Sequence, residues 1–194
     1  MISESLIEEL DRLLEEDRKR IIVAVDGGSA SGKTTLADSI RKMYNAAVFH
    51  MDDFFLQPYQ RTAERLAEPG GNVDRERFES EVLKPLSEGR DVFYRPYDCT
   101  KKCITQGSII TPKRLNIIEG AYSLHPKLRK YYDLKVFVDI APDCQRERIL
   151  RRNGAEWGQR FFEEWIPLEQ RYFDALAPRE CSDLTIRVEN IDQE

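Results

Sequence analysis

The chain has 194 residues, 41% of them hydrophobic and 34% charged, which is enough to bury one full core and too apolar for a disordered segment. A formal net charge of −5 speaks against a nucleic-acid binder that works through a general basic field, and no apolar run reaches the length of a membrane span. The four cysteines, Cys99, Cys103, Cys144 and Cys181, form no C-x-x-C pair, so reduced thiols are expected rather than a disulfide framework or a zinc site.

The acidic start, MISESLIEELDRLLEE, lacks the basic and then hydrophobic regions of a signal peptide, and the expected address is cytoplasmic. Residues 3–19 are predicted to form an amphipathic helix with Leu6, Leu10, Leu13 and Leu14 on one stripe and a Ser5/Glu8 capping box. Its polar face is acid-rich, so the apolar stripe is expected against a sheet rather than a membrane.

Ile21 to Thr35, IIVAVDGGSASGKTT, joins a buried strand to a turn and a helix start, the context in which G-x-x-x-x-G-K-[ST] binds phosphates. Here Gly27, Gly28, Ser29, Ala30, Ser31, Gly32, Lys33, Thr34 and Thr35 are the candidate nucleotide-binding residues. Glycines let backbone N–H groups turn inward, and the helix dipole points at the same spot. Lys33 suits the β- and γ-phosphates and the Thr34 hydroxyl suits Mg²⁺.

A helix to Met43 and a short strand, Ala46 to His50, lead into HMDDFFLQP. In a parallel sheet ligands gather beyond the carboxyl ends of strands, so Asp52 and Asp53 reach the rim of the phosphate loop as candidate base and metal ligands; capping of a turn is the plain alternative. Residues 57–73 read as a surface excursion with one short helix. Asp74 precedes a helix with Phe78, Val82, Leu83 and Leu86 as its stripe, and N-capping alone would account for it.

Two strands, Asp91–Tyr97 and Ile104–Ile110, suggest a hairpin at the sheet edge, over about 91–112. Leu115–Ile118 ends in Glu119-Gly120, again an acid at a strand end, and SLHPKLRKYY is predicted helical. Leu134–Ile140 is the clearest strand, and Pro142 opens a helix on which Arg148, Arg151 and Arg152 share a face, fit either for one anionic group or for solvent. In residues 156–176 Pro167 is expected to kink or divide the helix, with Phe161, Trp165, Leu168 and Phe173 in the core. Leu184–Val188 is the last strand. There is no internal repeat, and the whole chain, 1–194, is expected to be one domain.

In this order, GGSASGKTT, MDDFF, NVDRERF, RPYD, NIIEG and DCQRERILRR resemble the uridine kinase and phosphoribulokinase family, which includes nicotinamide riboside kinases; the likeness runs from Ile21 to Asn190. It implies an α/β P-loop NTPase fold: a doubly wound, mainly parallel five-stranded sheet with helices on both faces, and a lid over the phosphates at about 148–162. It implies transfer of a phosphoryl group from ATP, with Mg²⁺, to a hydroxyl of a small-molecule acceptor, without nucleic acid or membrane; homo-oligomerisation is left open. Asp52 then takes the place of the catalytic base, with Asp53 as runner-up. Asp74 matches the carboxylate that holds ribose hydroxyls, Asp53, Tyr97 and Arg160 fall on the substrate side, and Glu119 matches the acid near Mg²⁺, with Thr34 and Asp52. Arg148 and Arg151 match lid arginines. Uridine is the family's default acceptor, but Lys101-Lys102-Cys103 stand where uridine-cytidine kinases carry a base-reading histidine. DDFF and EEWIPLEQRY look closer to the nicotinamide riboside kinases. A regulatory NTPase is the expectation of a different class, and a nucleic-acid-dependent NTPase ranks last.

Overall fold

Every residue of Ile21–Gly27 (β1) is buried, and its side chains alternate between two cores. Ile22 and Ala24 join one hydrophobic cluster, while Ile21, Val23 and Val25 join the other. A strand buried on both faces belongs at the centre of a parallel sheet. The computed structural model, which describes residues 2–188, places it there; Met1 and residues 189–194, with Asn190 among them, lie outside the described residues.

Five strands, β1, β2 (Ala47–His50), β7 (Leu115–Glu119), β8 (Leu134–Ile140) and β9 (Leu184–Val188), pair in parallel in the order β2-β7-β1-β8-β9. On one face, helices α1 (Glu4–Glu15) and α2 (Lys33–Tyr44) bury Leu6, Leu10, Leu13, Leu36 and Ile40. After the short α3 (Ala63–Ala67), helices α4 (Arg75–Phe78) and α5 (Lys84–Glu88), joined by a π turn at Glu79–Leu83, cover the other face with Phe78, Val82, Leu83 and Leu86. Helices α6 (Pro142–Arg160) and α7 (Ile166–Leu176) are joined by a second π turn, Phe161–Trp165. Both π turns end two residues before a proline, Pro85 and Pro167. A proline lacks the N–H for the i−4 carbonyl and crowds it, so the turn widens and the helix continues instead of dividing.

Several expectations need correction. The first helix begins at Glu4 behind Ser3, and the Ser5/Glu8 capping box does not form. The hairpin exists, but β3 (Val92–Tyr94) pairs with β6 (Ser108–Ile110) and β4 (Tyr97–Asp98) with β5 (Cys103–Ile104) in two small ladders outside the main sheet. SLHPKLRKYY is a run of tight turns with one 3₁₀ turn, Arg129–Tyr131. Pro126 withholds one helical N–H there, and the buried Asp26 carboxylate captures two more, from Tyr122 (3.2 Å) and Leu124 (2.8 Å). Of the side chains expected in the core here, Phe173 packs against it, whereas Phe161, Trp165 and Leu168 line a cleft. All four cysteines are free.

Candidate active site

The carboxyl ends of β1, β2 and β7 deliver Gly27, His50 and Glu119 to one rim, and a cleft of about 1230 Å³ opens above them. Its floor is the loop between β1 and α2. Gly27 (φ +146°) and Gly32 (φ +100°) take backbone angles that other residues rarely adopt, and a Cβ on Gly27 would stand 2.3 Å from the Val138 carbonyl oxygen. These turns and the first turn of α2 form an anion-binding nest. Lys33 is 7% exposed, and its Nζ donates to the Gly28 carbonyl at 2.8 Å. A cation buried against a carbonyl at the mouth of such a nest is poised for a phosphate.

The Thr34 hydroxyl donates to Glu119 at 3.2 Å, and Glu119 also pairs with His50 Nδ1 at 2.5 Å. That bond to Glu119 holds the His50 imidazole above its usual pKa, against the effect of burial. Thr34, Glu119 and the nearby Asp52 offer only hard oxygen ligands beside the phosphate nest, a donor set that fits Mg²⁺, which keeps several waters and takes one or two carboxylates. No cluster of three or more acidic, histidine or cysteine side chains that could hold a metal occurs among the described residues.

The two adjacent aspartates differ sharply. Asp53 is half-buried and accepts a hydrogen bond from Tyr94 Oη at 2.6 Å. Asp52 lines the cleft, its side chain open to it, and no hydrogen bond engages its carboxylate among the described residues. Protein crowding on the cleft floor raises its pKa above the ordinary aspartate value; Lys33 opposes the rise and Glu119 adds to it. Asp74 lies outside this cleft. It caps α4, accepting from the Arg77 N–H (3.1 Å) and from Gln60 Nε2 (2.9 Å), and borders a smaller hollow with Leu56 and Tyr59.

The roof is α6 and the π turn after it. Arg148, Arg151 and Arg160 all line the cleft, as does Tyr97 from the hairpin opposite. Arg148 Nη1 lies 4.0 Å from where a Cβ on Gly32 would be, which puts its guanidinium over the phosphate loop. Arg160 pairs with Glu164 at 3.0 Å and lies over the rings of Trp157 and Trp165. At Gly154 the backbone leaves helical geometry (φ 76°, ψ 172°), so the roof is bent.

Sequence reasoning missed four residues. Asp26 is fully buried, accepts from Gly27 N–H and Tyr172 Oη, and ties the end of β1 to α7; burial drives its pKa up while these bonds oppose it. Its signal was visible, an acid inside a strand buried on both faces. Tyr94, Gln145 and Glu169 carried no such signal, since their partners lie 41 to 140 residues away.

The description "Phosphoribulokinase / Uridine kinase family" fits residues 22–163. The chain belongs to this family. Curated relatives include Uridine kinase-like protein 3 of Arabidopsis thaliana, 28% identical over 85% of this chain. The chain spans only 40% of that relative's length. Uridine kinase of Lactococcus lactis subsp. cremoris is 28% identical over 86% of this chain and 91% of its own length. Uridine kinase of Staphylococcus haemolyticus is 32% identical over 71% of this chain and 70% of its own. A structure described as a possible uridine kinase from Bacillus stearothermophilus shares the fold, with a TM-score of 0.68 at 20% identity, over 94% of this chain and 99% of that one. The family match ends at Glu163, so all of the roof but its last two residues falls inside it and α7 lies beyond it.

Proposed function

We propose that this family member is a small-molecule kinase that moves the γ-phosphoryl group of ATP, with Mg²⁺, to a hydroxyl of a nucleoside's ribose. The observation that carries this is the Asp52 carboxylate, engaged by no hydrogen bond among the described residues, in the same cleft as Lys33 and Arg148 and beside a neighbour, Asp53, that is already engaged. In the step proposed, the acceptor oxygen forms a bond to the γ-phosphorus and the bond from that phosphorus to the β–γ bridging oxygen breaks, leaving ADP. Asp52 orients the acceptor hydroxyl and takes its proton, Lys33 and Arg148 meet charge on the phosphoryl oxygens, and Arg151 supports them from the roof. Thr34 and Glu119 would hold Mg²⁺, which when bound would supply charge neutralisation on the phosphates.

The wall around the acceptor includes Asn72, Tyr97 and Tyr122, with the cations Arg61 and Lys102. Arg61 is paired with Glu164 at 3.8 Å, so it is Lys102 that favours a neutral base over the pyridinium of nicotinamide riboside, although the sequence motifs lean toward the riboside kinases. Asp74 would reach a ribose only after Gln60 releases it. ADP formation should be measured with uridine, cytidine, purine nucleosides, nicotinamide riboside and pantothenate. The proposal expects strong stimulation by a neutral nucleoside; ADP release indifferent to every acceptor would point to a regulatory NTPase instead.

A further inference from the structure

We propose that Glu169 and Gln145 are positioning residues that tie the phosphate loop to both ends of the roof through one shared contact, Ser29, so that filling the loop and closing the roof become a single event. This inference rests on the reading of the loop as a nucleotide phosphate site.

Ser29 spends all its polar groups on α6, which opens the roof, and on α7, which follows it. Its N–H donates to Glu169 Oε2 at 2.9 Å, its hydroxyl donates to Glu169 Oε1 at 2.5 Å, and its carbonyl accepts from Gln145 Nε2 at 2.9 Å. Gln145 lies in the opening turn of α6 and Glu169 in the first turn of α7, so the contacts clasp the roof segment at its start and just past its end. Gly28 makes room for both, since a Cβ there would stand 2.8 Å from Gln145 Nε2 and 3.6 Å from Glu169 Oε2.

Glu169 is also expensive where it stands. It is 4% exposed, beside a loop built for anions, and no ion pair to it is found among the described residues. Burial pushes its pKa up, with Lys33 and the Ser29 bonds opposing. A neutral side chain would satisfy Ser29 with less repulsion toward an incoming phosphate. A carboxylate accepts both Ser29 donors at once and binds them as a rigid pair. Any shift of Ser29 on phosphate binding is then passed to α6 and α7 together, and through α6 to Arg148.

The chain's two tryptophans, Trp157 and Trp165, both line the cleft from the roof, so their emission reads roof position directly. The full chain, as wild type, Glu169→Ala, Glu169→Gln and Gln145→Leu, should be titrated with a non-hydrolysable ATP analogue and Mg²⁺, by calorimetry for binding and by fluorescence for the roof. The wild type should bind and change its emission. Glu169→Ala and Gln145→Leu should bind within a few-fold of wild type but lose most of the emission change, and their kcat should fall about tenfold with a smaller change in KM for ATP, as expected when orientation is lost. Glu169→Gln should keep part of the response, and Arg148→Ala combined with Glu169→Ala should cost less than the sum of the two. Gln145 is only half-buried, so its variant keeps the test alive if Glu169→Ala does not fold. An undiminished emission change and kcat in Gln145→Leu or Glu169→Ala would overturn the inference, as would loss of analogue binding in step with the emission change. If the wild type binds no nucleotide, the phosphate-loop reading fails first and takes this inference with it.

Discussion

On the floor of the cleft, Lys33 is buried against a carbonyl, and Thr34, Glu119 and His50 are linked by hydrogen bonds over a sheet core. On the roof, Arg148 is half-buried while Arg151 and Arg160 are exposed, on a helix bent at Gly154. A group that already touches phosphate oxygens in the ground state contributes to binding as well as to chemistry, whereas a group that closes on the phosphoryl as charge develops acts chiefly on the chemical step. The floor should therefore govern binding and chemistry together, and the roof chiefly kcat.

The largest effect should come from the floor. Lys33→Ala removes a preorganised charge and should cost about 3–4 kcal/mol in kcat/KM, with both nucleotide binding and turnover impaired. The fold should persist, because among the described residues the Lys33 ammonium bonds only to a loop carbonyl. Wild-type turnover in the variant, with circular dichroism unchanged, would remove the loop from the catalytic site.

Next is the pair of aspartates. Asp52→Asn keeps size but loses basicity, and kcat should fall about 10²-fold or more, the usual range for loss of a general base, with ATP affinity nearly constant. Asp53→Asn can still accept from Tyr94 and should remain within a few-fold of wild type. Collapse of Asp53→Asn beside a near-normal Asp52→Asn would move the base one residue along.

This contrast also shows what the sequence could reveal. The strand–loop–helix start, the five strands and the acids at strand ends are local patterns, and MDDFF placed both aspartates just past the end of β2. Which aspartate is engaged depends on Tyr94, 41 residues further on, and no spacing reports that. Asp74 read as ribose ligand or helix cap, and its bond from the Arg77 N–H makes the cap while its other oxygen accepts from Gln60. The aromatics of residues 161–168 have core-like periodicity, but periodicity gives a face and not what covers it; here the face borders the cleft. Glu169 was silent because a buried carboxylate with a partner 140 residues away leaves no local trace.

For the roof, Arg148→Ala should lower kcat by about 10- to 100-fold while nucleotide affinity changes less, the signature of an interaction that matures in the transition state. Arg151→Ala should follow in the same direction. Equal losses in affinity and kcat for Arg148→Ala would mean that the roof, like the floor, already holds the phosphates in the ground state.

The smallest effect tests the same contrast through glycine. Gly27→Ala would push a Cβ to within 2.3 Å of the Val138 carbonyl, inside the β1–β8 ladder, and nothing there can yield without opening the sheet. That variant should be severely destabilised. Gly154 also sits at positive φ (76°), but a Cβ there meets nothing within 4 Å, so the cost of Gly154→Ala is backbone strain alone, of order 1–3 kcal/mol if the bend is kept. The bend need not be kept, because helical residues flank it on both sides and alanine favours helical angles there. Straightening would relieve most of the strain, and Tm should move by only about 2–4 °C, the shift that 1 kcal/mol gives a domain of this size. It would also turn Arg160 and Trp157 away from the direction set by Arg148, so kcat should fall a few-fold although no reacting group has been touched. Calorimetric Tm and kcat measured on the same preparation decide the point. A drop in Tm as deep as that of Gly27→Ala would show that the bend at Gly154 is part of the core architecture, and the division between floor and roof would fail.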